Sequence, residues 1–182
     1  MKLSKQNEIL ERVNELLQQS RVKTPPVNVE QVAGTLKIHV RKSPTEDEIS
    51  GFLLRQPEGP VVIGVNSLHH PNRQRFTIGH EIGHFLLHEY DKVHVDRSMV
   101  KLRSSASSTG EDEEEVEANR FAAELLMPRT FLDRDVKELL LRDLLDDKWM
   151  QQLAKRYAVS VQAMTNRLIS LGYLSADQLG AA

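Results

Sequence analysis

Over residues 4–19 the apolar positions Ile9, Leu10, Val13, Leu16 and Leu17 recur at helical spacing with charged residues between them. That period predicts an amphipathic helix. Pro25 and Pro26 close the segment, Asn28 stands where it can cap a short helix through Leu36, and residues 37–40 read as a strand. Two apolar runs, 51–54 and 61–65, flank the turn-rich residues 56–60 and predict a hairpin in a small antiparallel sheet. A run such as 61–65 is most often only core, with edge pairing of an extended peptide as the other reading.

A strongly apolar helical pattern follows over residues 73–88. One stripe holds Ile78, Ile82, Phe85 and Leu86, and another holds Thr77, His80, His84 and Leu87, so this helix is expected to be buried on two sides. Residues 91–114 are rich in Ser and charge and predict a mobile loop. Helical periodicity resumes near Glu113 and stops at Met127-Pro128, because proline cannot continue the hydrogen-bond ladder. A further helix is predicted over 132–145. Residues 147–156 then form a helix, 157–159 break it, and Ser160 caps a last helix that runs to Leu171 before Gly172. This spacing is that of a helix-turn-helix. The fold class is therefore α+β, with a C-terminal helical segment.

Composition narrows the chemistry. The chain has 182 residues and no cysteine, which excludes disulfides, thiolate metal sites and a cysteine nucleophile, so any metal must sit on His and carboxylate. Lys plus Arg number 24 against 26 Asp plus Glu, a formal net charge of -2, and no global field draws the chain to nucleic acid or lipid. The N-terminal residues lack the apolar run of a signal peptide and no segment has the ~20 apolar residues of a membrane span, so the expected location is the cytoplasm, with no membrane partner.

The central motif is His80-Glu81-Ile82-Gly83-His84. Histidines four apart on a helix lie about 40° apart around the axis and about 6 Å along it, so both imidazoles can grip one ion. Glu81 is rotated by about 100° from His80, which lets its carboxylate reach a water beside the metal as general base without ligating. A catalytic zinc takes three protein ligands and keeps a fourth position open, so a further donor must come from elsewhere. On the next helix Glu115 and Asn119 share a face, which allows Glu115 to ligate and Asn119 to orient a histidine. Glu117 is the rival ligand, since it shares a stripe with Phe121 and Leu125; Glu111, Glu113 and Glu114 read as a solvated acidic run. For a second donor to a developing oxyanion, His88, Tyr90, His94 and Arg97 are all within reach in sequence.

Residues 73–88, RQRFTIGHEIGHFLLH, together with Glu115 to Asn119 and the later FAAELLMP of 121–128, resemble the ImmA/IrrE-type metallopeptidases. The two blocks together are far more specific than H-E-x-x-H alone, and the resemblance covers roughly residues 28–174. It implies a zincin-like core, set at residues 26–130 between the N-terminal helix of 1–25 and the helix-turn-helix-like segment of 131–182 that the periodicity predicts. It implies Zn2+ on His80, His84 and Glu115, with Mn2+ as the other candidate metal, and it favours Glu115 because the family's ligand lies four residues before the position of Asn119. It also implies a substrate, since family members commonly cut helix-turn-helix repressors and so relieve repression of mobile-element or stress-response genes. The acidic, Ser-rich stretch before Glu115 departs from the family pattern.

The competing class is a metal-containing regulator that binds a repressor or DNA without cutting. Its support is the C-terminal segment, where Gln162, Thr165, Asn166 and Arg167 can face a groove while Leu153, Val159, Leu168 and Leu171 form core. The cationic footprint is thin: Lys155, Arg156 and Arg167 stand beside Asp143, Asp146 and Asp147, which favours packing or partner docking over DNA recognition.

Overall fold

A computed structural model of the chain describes residues 3–56, 58–88, 93–97, 109–140 and 147–174. Helices α1 (Leu3–Gln19) and α2 (Val29–Thr35) lead into strands β1 (Ile38–Ser43), β2 (Ile49–Leu54) and β3 (Val61–Asn66). Helix α3 (Pro71–Leu87), strand β4 (Val93–Arg97) and helices α4 (Thr109–Leu126), α5 (Arg129–Leu140), α6 (Asp147–Tyr157) and α7 (Val161–Ser170) follow. Local chemistry sets several boundaries as predicted. Asn28 Oδ1 accepts from the Gln31 amide at 3.1 Å to cap α2, and Ser160 Oγ accepts from the Ala163 amide at 3.1 Å to cap α7. Helix α3 starts two residues before its predicted first turn, with Pro71 in the first turn and His70 Nδ1 accepting from the Asn72 amide.

The four strands lie in the order β1-β3-β2-β4. The predicted hairpin is present, with Gly51 opposite Val65 and Leu54 opposite Val62. One expectation fails here. The sheet is mixed rather than antiparallel, because β1 runs parallel to β3 with Ile38 opposite Val61. Strand β3 is consequently central, paired on both sides, and has no edge to offer a peptide. Its unbroken apolar run, with Ile63, Gly64, Val65 and Asn66 all buried, is that of an interior strand. A second correction concerns residues 91–114, of which 91–92 and 98–108 lie outside the described residues. They contain β4, which pairs antiparallel with β2, and the first turn of α4, which begins at Thr109. The alternation in Val93-His94-Val95 is a strand signal too short to stand out in a polar stretch, and the acids at 111–114 suit a helix N-terminus. The helix expected over 132–145 begins earlier, at Arg129, and residues 141–146 lie outside the described residues.

One apolar core takes in Ile9, Val13, Leu16 and Leu17 of α1, Leu53 and Ile63 of the sheet, Ile78 and Ile82 of α3, Phe121 and Leu125 of α4, and Leu153, Met164 and Leu168 of the last two helices. Asn66, 1% exposed, organises the sheet end beside α3: its amide donates to the carbonyls of Thr45, Glu46 and Ile49, and its oxygen accepts from the Leu68 amide. Among the described residues no helix is long and apolar enough to cross a membrane.

Candidate metal centre

Helices α3 and α4 pack unusually close because small residues face one another. A methyl group on Gly79 would meet Ala122 Cβ at 3.4 Å, and one on Gly83 would meet Ala118 Cα at 3.1 Å. This near contact carries Glu115 and Asn119, each on the same face as those alanines, over the histidines of α3. Eight consecutive residues from Thr77 to His84 are buried, as the double stripe predicts.

The three predicted ligands converge. His80 Nε2 lies 2.9 Å from His84 Nε2 and 3.4 Å from Glu115 Oε2, while His84 Nε2 lies 3.2 Å from Glu115 Oε1. His80 Nδ1 donates to Asn119 Oδ1 at 3.1 Å, which leaves a lone pair on Nε2. That lone pair faces a carboxylate and a second ring nitrogen, an arrangement that a shared cation relieves. Atoms about 2.0–2.1 Å from a tetrahedral ion stand about 3.3 Å from one another, so the separations suit a metal held by these residues. His80, His84 and Glu115 thus form a group that can hold a metal ion, with both histidines buried and Glu115 half-buried.

Glu117, the rival ligand, is not in this group. Its Oε2 lies 3.1 Å from His88 Nε2 and 3.5 Å from Lys5 Nζ of α1, and His88 Nδ1 in turn lies 3.1 Å from His84 Nδ1. Glu81 is fully buried on α3. Of the candidates for an oxyanion donor, His88 is the C-cap residue of α3 and is engaged with His84 and Glu117; His94 and Arg97 fall in β4, and Tyr90 lies outside the described residues.

Sequence reasoning missed two arginines that hold the site. Arg55, just past β2, donates from Nη2 to the carbonyls of His84, Phe85 and His88 at 3.3, 2.8 and 3.0 Å and lies over the Phe85 ring. It closes the C-terminal end of α3, where helix carbonyls have no partner within the helix. Arg75 of α3 donates to the carbonyls of Ala158 and Tyr157, in the turn between α6 and α7 where Ala158 has φ +52. Burial lowers its pKa from the ordinary arginine value, against the nearby Glu30 carboxylate, which raises it. Nothing in their local sequence distinguishes the two, since Arg75 stands beside Arg73 and Gln74 and Arg55 leads into the turn-rich residues 56–60.

Beside His80 and Glu115 a cleft of about 1020 Å³ opens, walled mainly by apolar groups of Phe76, Val116, Ala123, Leu126 and Ala163. Helix α7 supplies one wall through Gln162, Asn166 and Arg167. Three of the four residues that the competing reading set towards a groove, Gln162, Asn166 and Arg167, thus line the cleft. Arg167 is 5% exposed, ion-paired with Glu124, and donates from Nε to the Met127 carbonyl at 3.2 Å. Arg156 is likewise engaged, 3.2 Å from Asp135.

Comparison with curated proteins finds no match. Among solved structures, a Mycobacterium tuberculosis transcriptional regulator superposes with a TM-score of 0.61 at 17% identity, over 89% of this chain and 46% of that one. The present chain thus spans less than half the length of that relative, and the likeness speaks for the fold. The family model described as the IrrE N-terminal-like domain, of the peptidase M78 group, matches residues 33–169. With its blocks at 73–88 and 115–128 inside that match and its His-His-Glu group assembled, the chain belongs to the IrrE N-terminal-like metallopeptidase family.

Proposed function

We propose that the protein is a zinc-dependent endopeptidase of zincin-like core that cleaves a helix-turn-helix transcriptional repressor in the cytoplasm. The observation that carries this reading is the convergence of His80, His84 and Glu115 within 3.4 Å, with His80 and Glu115 lining a mainly apolar cleft of about 1020 Å³. Zinc held there supplies Lewis acidity and brings the ionisation of water towards neutrality.

The chain's own groups do the rest. Asn119 holds the His80 ring with its Nε2 lone pair turned to the site. Glu81, buried between the two histidines in sequence, takes the proton of the attacking water and returns it to the departing amine. Phe76, Val116 and Ala163 exclude water and receive apolar substrate side chains. Helix α7, the second of a pair whose spacing resembles a helix-turn-helix, serves in this reading as a substrate wall. A repressor substrate follows from the family resemblance, and the mycobacterial relative, a transcriptional regulator, is compatible with a role in gene control.

The test is incubation of the zinc-loaded protein with a repressor encoded beside it, with and without chelator. Cleavage that chelator stops and Glu81→Gln abolishes supports the enzyme. A stable complex with no product would favour the regulator that binds without cutting.

A further inference from the structure

We infer that Glu117, acting through His88, fixes which nitrogen of His84 carries the proton and so presents a lone pair to the metal. The inference rests on the metal-binding reading of His80, His84 and Glu115. It starts from a chain of contacts that runs away from the site: His84 Nδ1 to His88 Nδ1 at 3.1 Å, His88 Nε2 to Glu117 Oε2 at 3.1 Å, and Glu117 Oε2 to Lys5 Nζ at 3.5 Å.

Donor and acceptor assignments propagate along this chain in one direction. An ionised carboxylate only accepts, so Glu117 requires a proton on His88 Nε2. A neutral His88 then has a bare Nδ1, which accepts. The hydrogen bond between the two Nδ1 atoms therefore takes its proton from His84, and His84 Nε2 is left with its lone pair directed at His80 Nε2 and Glu115. Asn119 does the same for His80 in a single step. The two ligands are thus oriented by different devices, an amide for one and a histidine-carboxylate pair for the other.

The geometry makes His88 and Glu117 positioning residues. His88 is 8% exposed, and Arg55 holds its carbonyl at 3.0 Å, so the ring that bridges His84 to Glu117 is fixed at both backbone and side chain. Lys5 belongs to α1, which precedes the residues matched by the family model, and it ties this end of the chain to the metal centre.

Long-range 1H–15N correlation spectra of the zinc-loaded protein read the protons directly. The expected pattern is a protonated Nε2 and bare Nδ1 on His88, with a protonated Nδ1 on His84. Glu117→Gln keeps the shape but can donate as well as accept, so it should unpin the His88 tautomer and weaken zinc binding about 10-fold. His88→Phe, which removes the acceptor, should cost roughly 10–100-fold, the usual range for loss of such a partner. The double variant should be no weaker than His88→Phe alone. Competition with a chromophoric chelator gives the affinities, and melting of the metal-free variants reports whether each one folds. A His88 protonated on Nδ1, or both variants binding zinc like the wild type, would overturn the inference. A wild-type chain that takes up no zinc would overturn the metal reading with it.

Discussion

Gly83 and Ala118 set the distance between the two helices that carry His80, His84 and Glu115: a methyl group on Gly83 would stand 3.1 Å from Ala118 Cα and 3.2 Å from its carbonyl oxygen. Both obstacles are backbone, which cannot rotate aside. Gly83→Ala should gain about 1 kcal/mol of helix propensity yet lose about 1–3 kcal/mol to overpacking, for a net destabilisation. Gly79→Ala meets Ala122 at 3.4 Å, ordinary contact, and should be neutral or stabilising. Urea unfolding of the two variants checks the contrast. Zinc affinity should fall only for Gly83→Ala.

Asn119 accepts from His80 Nδ1 at 3.1 Å. Asn119→Ala removes that acceptor and should weaken zinc binding roughly 10–100-fold, whereas Asn119→Asp, which still accepts, should retain most of the affinity. Chelator competition separates them.

Arg167 and Glu124 form an ion pair at 5% and 9% side-chain exposure, and Glu124 also accepts from the Arg129 amide at 2.9 Å. Arg167→Met strands a buried carboxylate and should cost about 3–5 kcal/mol, with part of it recovered by adding Glu124→Gln. Denaturation of the single and double variants measures this. An Arg167 that served DNA instead would be dispensable for stability.

Tyr157 donates its hydroxyl to Asp135 Oδ2 at 2.9 Å, and burial first, then that hydrogen bond, raises its pKa above the ordinary 10.0. The folded chain therefore keeps a proton that the unfolded chain releases above about pH 10. Stability from this group is full below that pH and is lost as pH rises further. Tyr157→Phe should cost about 1.5–3 kcal/mol near neutrality, and its gap from the wild type should narrow above pH 10.

Much of the site is legible in the sequence because it depends on helical period alone. His80 and His84, and likewise Glu115 and Asn119, are four residues apart, so each pair falls on one face whatever surrounds it. Asn28 and Ser160 are legible for the same reason, since a cap acts within three residues. Period is silent on pairing across distance. The parallel register of Ile38 with Val61, the strand at 93–97, and the reach of Arg55 to the end of α3 each depend on partners more than twenty residues away. Glu117 shows the boundary between the two kinds of information. Its stripe with Phe121 and Leu125 rightly turns it inward, but only the packing of α3 on α4 decides that it meets His88 while Glu115 meets His80 and His84.

The most direct measurement is zinc stoichiometry and affinity by native mass spectrometry and calorimetry across single substitutions. The wild type and Glu81→Gln should each bind one zinc per chain with similar affinity, and His80→Ala, His84→Ala and Glu115→Ala should each lose it, while Glu117→Ala binds more weakly but still one to one. Tight binding that survives Glu115→Ala would contradict the assembled centre on which the account stands.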